Sequence, residues 1–88
     1  MKKRYVYVVT IDWVNEQFTN GREQKVFSSD KKARDYMHAE YQKDLANYEK
    51  RFGEDVETET TNNTITLREY ENYAENHIEY SLVKVEVE

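Results

Sequence analysis

The chain has no cysteine, no proline and only two glycines among its 88 residues. These absences exclude a disulfide scaffold, a cysteine zinc site and a glycine-rich phosphate loop. Long hydrophobic runs are missing as well. Met1-Lys2-Lys3-Arg4 followed by Tyr5-Val6-Tyr7-Val8-Val9 copies the head of a signal peptide, but Thr10 and Asp12 break the apolar run and no small-residue cleavage site appears. No segment approaches the roughly 20 apolar residues that cross a bilayer. With no cysteine to oxidise, a reducing compartment fits, and a cytoplasmic protein is the expectation.

What remains is 38% apolar, 14% aromatic and 35% charged, with a net charge of −5. A chain of this size hides only about 60–65% of its extended surface on folding, so a single domain over residues 1–88 with a thin core is expected.

Between Lys3 and Val14 the residues are β-branched and aromatic. Tyr5, Tyr7, Val9, Ile11 and Trp13 share one face of a strand, and Val6, Val8 and Val14 share the other with Arg4, Thr10 and Asp12. Two partly apolar faces point to an interior strand. Asn20-Gly21 is the favoured sequence for a tight hairpin, which would start a second strand at Arg22 and end it at Phe27.

The strongest element comes next. Ala33, Met37, Tyr41, Leu45, Tyr48 and Phe52 lie three or four residues apart and lay one apolar stripe along a helix over about residues 30–52. Ser29 is placed to cap its start and Asp30 suits the positive end of its dipole, while Lys50, Arg51 and Gly53 suit its close. Replacing Leu45 by Ala is expected to cost about 2–5 kcal/mol if that residue is central.

After Gly53, residues 56–61 and 64–70 alternate around Asn62-Asn63, a second hairpin, and a polar stretch from Glu71 to Asn76 leads to a last strand, His77 to Val87. That strand has an oddity. Ile78, Tyr80 and Leu82 share one face, but Val83, Val85 and Val87 share the other. Either a bulge near Leu82-Val83 restores the phase or the strand is covered differently at its two ends, and the bulge is the expectation. The predicted fold is α+β: an antiparallel sheet of four to five strands with one long helix packed on one face, in the order β-β-α-β-β-β.

Tyr5-Val6-Tyr7-Val8-Val9-Thr10, then Lys25-Val26-Phe27-Ser28-Ser29, then Lys31-Lys32-Ala33 form a pattern that resembles small uncharacterised α/β proteins of Gram-positive bacteriophages and mobile elements, over about the first 40 residues. The resemblance implies no catalytic residue. It implies an accessory protein acting on a host factor.

Catalytic equipment is sparse. His38 sits beside Asp35 and Gln42 in sequence, and His77 shares a strand face with Glu79, which supplies two metal ligands where three or four are needed. Ser28, Ser29 and Ser81 are the only serines, and none lies in a glycine-flanked elbow. No catalytic residue, metal ligand or cofactor is expected, and the chain reads as a non-enzyme.

Charge is distributed unevenly. Residues 1–52 carry 11 basic and 8 acidic side chains, a net of +3, whereas residues 53–88 carry 2 and 10, a net of −8. Glu57, Glu59, Glu69, Glu71, Glu75 and Glu79, with Tyr70 and Tyr73 among them, are the candidate partner-binding residues. One reading is an acidic surface that keeps a small protein soluble and blunts its strand edges. The functional reading is an acidic, tyrosine-bearing face that engages a basic protein surface, as an inhibitor imitating nucleic acid would. A rival is single-stranded nucleic-acid binding, with Tyr5, Tyr7 and Trp13 as a stacking platform, although core beneath the helix is the expected role of these three. A net charge of −5 also opposes phosphate binding unless Lys2, Lys3, Arg4, Lys31, Lys32 and Arg34 gather into one basic patch. A third is a homodimer whose positive and negative halves complement each other across an exposed strand such as the last. No membrane partner is expected.

Overall fold

A computed structural model describes residues 3–15, 20–69 and 76–87. The elements run β1 (Arg4–Val14), β2 (Asn20–Phe27), α1 (Asp30–Phe52), β3 (Val56–Thr60), β4 (Thr64–Glu69) and β5 (His77–Val87). The strands form one antiparallel sheet in the order β2-β1-β5-β4-β3, and α1 packs across one face of it. The expected β-β-α-β-β-β architecture is what the chain adopts.

Helix α1 matches its sequence signals closely. The Ser29 hydroxyl accepts the Lys32 N–H at 3.1 Å, and the Gly53 N–H closes the last turn on the Glu49 carbonyl at 2.9 Å. Gly53 has φ 63°, where a Cβ would strain the backbone. Ala33, Met37 and Tyr48 are buried, while Tyr41, Leu45 and Phe52 pack half-buried against the core. Beneath them lie Val9 and Ile11 of β1, Tyr80 and Leu82 of β5, and Ile65 and Leu67 of β4.

Two local expectations are corrected. Asn20-Gly21 is not a turn: Asn20 pairs with Val14 and Gly21 with Trp13, so β2 begins two residues earlier than Arg22. The glycine serves a neighbour instead, because a Cβ on Gly21 would lie 2.2 Å from the Trp13 ring. The second correction concerns β5, which has no bulge. Its pairing with β1 runs unbroken from Arg4↔Val87 to Val14↔His77. Alternation therefore sends Ile78, Tyr80 and Leu82 under the helix and Val83, Val85 and Val87 to the opposite, open face.

Residues 85–87 of β5 and 4–6 of β1 pair only with each other, since β2 reaches no further than Tyr7 and β4 no further than Ser81; Val83 and Lys84 pair with Val8 and Tyr7, which β2 still flanks. Residues 85–87 and 4–6 extend the sheet as a two-stranded ribbon, in a molecule 51 Å long and 22 × 17 Å across. The β3–β4 turn ends where the ribbon begins. Arg34 holds that turn to the start of α1, donating to the Asn62 carbonyl at 2.6 Å and to Asn63 Oδ1 at 3.0 Å.

Candidate functional site

The open face of the sheet is built by alternation alone. At one end it carries Val6, Val8, Val26, Val83, Val85 and Val87. At the other it is charged, and two cross-strand rows define it. The first runs Arg22, Asp12, Glu79, Thr66, Glu59 from β2 to β3, and the second runs Asn20, Val14, His77, Arg68, Glu57.

Pairing of β1 with β5 sets Asp12 directly opposite Glu79. Such neighbours have Cβ atoms about 4.5–5.5 Å apart, and like charges there oppose folding. Arg22 relieves the pair from one side, its Nε 2.6 Å from Asp12 Oδ1. Glu59 stands two strands beyond Glu79, about 10 Å away at ordinary strand spacing. Arg68 reaches both Glu57 at 2.9 Å and Glu59 at 3.1 Å, and the hydrogen bond it donates to Glu57 holds its guanidinium pKa above the usual value. The corner thus has four carboxylates and two guanidiniums, a formal excess of two negative charges.

The sequence-selected residues do not all meet there. Glu57, Glu59 and Glu79 share the open face. Glu69 lies on the helix side of β4, where its carboxylate accepts the Asn76 amide at 2.9 Å and its N–H donates to the Asn76 carbonyl at 3.1 Å. Tyr70, Glu71, Tyr73 and Glu75 fall outside the described residues. Glu86 faces the helix side of the ribbon, and Glu54 and Asp55 follow the helix end. The described carboxylates of residues 53–88 thus divide between the two sides of the sheet. Tyr80, beside Glu79 in sequence, does not join the acidic corner. It is fully buried, with its hydroxyl donating to Asp44 at 2.6 Å, and desolvation followed by that carboxylate drives its pKa far upward.

Two residues were beyond sequence reasoning. Asp12 joins the acidic row only through strand pairing, and no local signal marks it. Asn76, 2% exposed, secures the entrance to β5, and its position in a polar run gave no hint of burial.

Of the three aromatic residues on the helix side of β1, two take the expected core role. Tyr7 and Trp13 pack against the core, and Tyr5 stands on the ribbon with the Lys84 ammonium 4.1 Å above its ring. Of the basic cluster, Lys31 is bound to Asp35, and Arg34 to Asp30 and the β3–β4 turn.

A groove of about 500 Å³ lies between α1 and the sheet near Trp13, Glu40, Lys43, Asp44 and Arg51. Its charges serve the framework: Lys43 binds Glu40 at 2.6 Å and Asp44 binds Tyr80. Among the described residues no group of three or more His, Cys, Asp or Glu side chains is placed to hold a metal ion, and no helix is long and apolar enough to cross a membrane. Compared with family models, curated proteins and solved structures, the chain matches none.

Proposed function

We propose that this chain is a non-enzymatic, cytoplasmic binding module whose acidic corner on the open sheet face engages a basic protein surface. The observation that carries the reading is Asp12 set directly opposite Glu79, with Glu59 in the same row and, among the described residues, no helix above them. A like-charged pair across two interior strands costs folding free energy. Its negative field is gained by whatever docks there. Arg68 and Arg22 hold the carboxylates in place and leave the corner net negative. A phage-type inhibitor that occupies the nucleic-acid groove of a basic host protein is the form of module this charge suits.

A fluorescent deca-lysine peptide provides the test. Binding is expected at about 50 mM salt and should weaken by an order of magnitude or more toward about 300 mM, as screening shortens the field. Glu59→Gln with Glu79→Gln should reduce binding several-fold, whereas Glu49→Gln with Glu54→Gln, on exposed sites elsewhere, should not. Equal losses from both double variants would show that only net charge matters and would defeat the proposal. A single-stranded oligonucleotide binding as well as the peptide would favour the nucleic-acid reading instead.

A further inference from the structure

We propose that residues 83–87 of β5 form the seam of a two-fold homodimer, with the β5 strands of two copies pairing antiparallel about Val85. The argument starts from the free edge. The Leu82 N–H points toward β4, donating to the Asn63 carbonyl at 2.8 Å. Along a strand the peptide groups of alternate residues point the same way, so Lys84 and Glu86 present their N–H and C=O on that same side. Among the described residues no strand pairs with them there.

The sequence of this edge, Val83-Lys84-Val85-Glu86-Val87, is complementary to its own antiparallel copy. Centring the two-fold axis on Val85 sets Lys84 opposite Glu86 of the other copy twice over. Each of these is a hydrogen-bonded pair exchanging two main-chain bonds, because Lys84 and Glu86 own the outward peptide groups. Val85 then meets its own symmetry mate in the closer, non-hydrogen-bonded position, and each Val83 meets a Val87. The valines of both ribbons become one apolar face. Without a partner, Val83 is 52% exposed at the root of the ribbon, and Val85 and Val87 are each 40% exposed on its two-stranded part, of a kind marginally stable in water. The other edges offer no such match: β2 carries Arg22, Glu23 and Lys25, and β3 carries Glu57 and Glu59 bound to Arg68. The seam lies at the opposite end of the sheet from the acidic corner, so neither proposal depends on the other. It also differs from a dimer in which a positive half meets a negative half, since both partners here are the same short strand.

Sedimentation or light scattering should show a dimer of the 10.7 kDa chain whose affinity is weak, as a strand-edge seam of small area implies, so measurements extend to about 1 mM. Lys84→Glu and Glu86→Lys, each replacing two attractive pairs by two repulsive ones, should each weaken self-association about tenfold. Mixing these two variants, or combining them in one chain, should restore it. The combined variant removes the contact between Lys84 and Tyr5 as well, so restoration separates the pairing across the seam from a role within the chain. Val85→Cys supplies a second readout that a folding defect does not imitate. The symmetry places the two Val85 Cα atoms within disulfide reach, so mild oxidation should cross-link Val85→Cys rapidly and Val83→Cys slowly. A monomer throughout this range, equal cross-linking at positions 83 and 85, a charge swap that fails to restore association or an open-ended polymer would each overturn the proposal.

Discussion

The two halves of β5 belong to one strand and one unbroken ladder, yet they live in different surroundings. Its first half places Tyr80 and Leu82 beneath α1, at 0% and 6% exposure. Its second half places Val83, Val85 and Val87 on a face that no described residue covers. Backbone pairing to β1 is continuous across the junction, so hydrogen bonding does not distinguish them. Cover does. The β3–β4 hairpin stops at the level of Leu82, whose N–H donates to the Asn63 carbonyl, and Arg34 ties the start of α1 to that same turn. Beyond that level the alternation of apolar residues continues but has changed sides. The strand is thus anchored by burial at one end and ready to be recruited at the other.

The largest expected effect breaks this contrast most directly. Leu67→Ala, in β4 beside the first half of β5, removes a fully buried side chain and should cost about 2–5 kcal/mol by urea unfolding followed by circular dichroism. Val85→Ala, measured at concentrations too low for self-association, should cost less than about 1 kcal/mol because its site already meets water. Similar losses at the two positions would show that the ribbon is covered after all. Leu45→Ala falls between them, at about 1–2 kcal/mol, since Leu45 is half-buried rather than central.

Gly21→Ala should cost about 1–3 kcal/mol, because the added methyl group meets the Trp13 ring and the indole must move. Tryptophan fluorescence should shift along with the unfolding midpoint.

Tyr80→Phe sharpens the contrast through pH. Removing its hydroxyl leaves the Asp44 carboxylate without that donor and should cost about 1–2 kcal/mol near neutral pH. Desolvation raises the pKa of Tyr48 to about 12 and that of Tyr80 further, so both stay protonated in the folded protein while unfolded tyrosines ionise near 10. The unfolded chain then binds fewer protons, and stability falls as pH rises above about 10. Below that pH the contribution is fully present. The alkaline decline should be shallower in Tyr80→Phe than in the parent. Equal slopes would show that Tyr80 contributes nothing to it.

Much of the fold was legible because its signals are short-range. The stripe from Ala33 to Phe52, the Ser29 cap and the Gly53 close each operate within one or two helical turns, and the structure matches them residue by residue. The two faces of β1 were equally plain from alternation. The site was less legible. Glu57, Glu59 and Glu79 could be chosen by charge, but Glu69 lies one strand face away from them, and Arg68 belongs to the site as fully as the carboxylates it binds. Asn20-Gly21 departs from expectation for a related reason: the pair signals a turn in sequence, while the value of the glycine here is the space it leaves for Trp13.

By itself the sequence determined the elements, their order and which side chains alternate to which side of each strand, since φ and ψ preferences, caps and periodicity act over a few residues. Only the tertiary structure decided that Asp12 faces Glu79, that β5 runs without a bulge and that the helix covers half of it. Those outcomes depend on register between residues far apart in the chain and on how far one helix reaches across a longer sheet, neither of which any short stretch of sequence encodes.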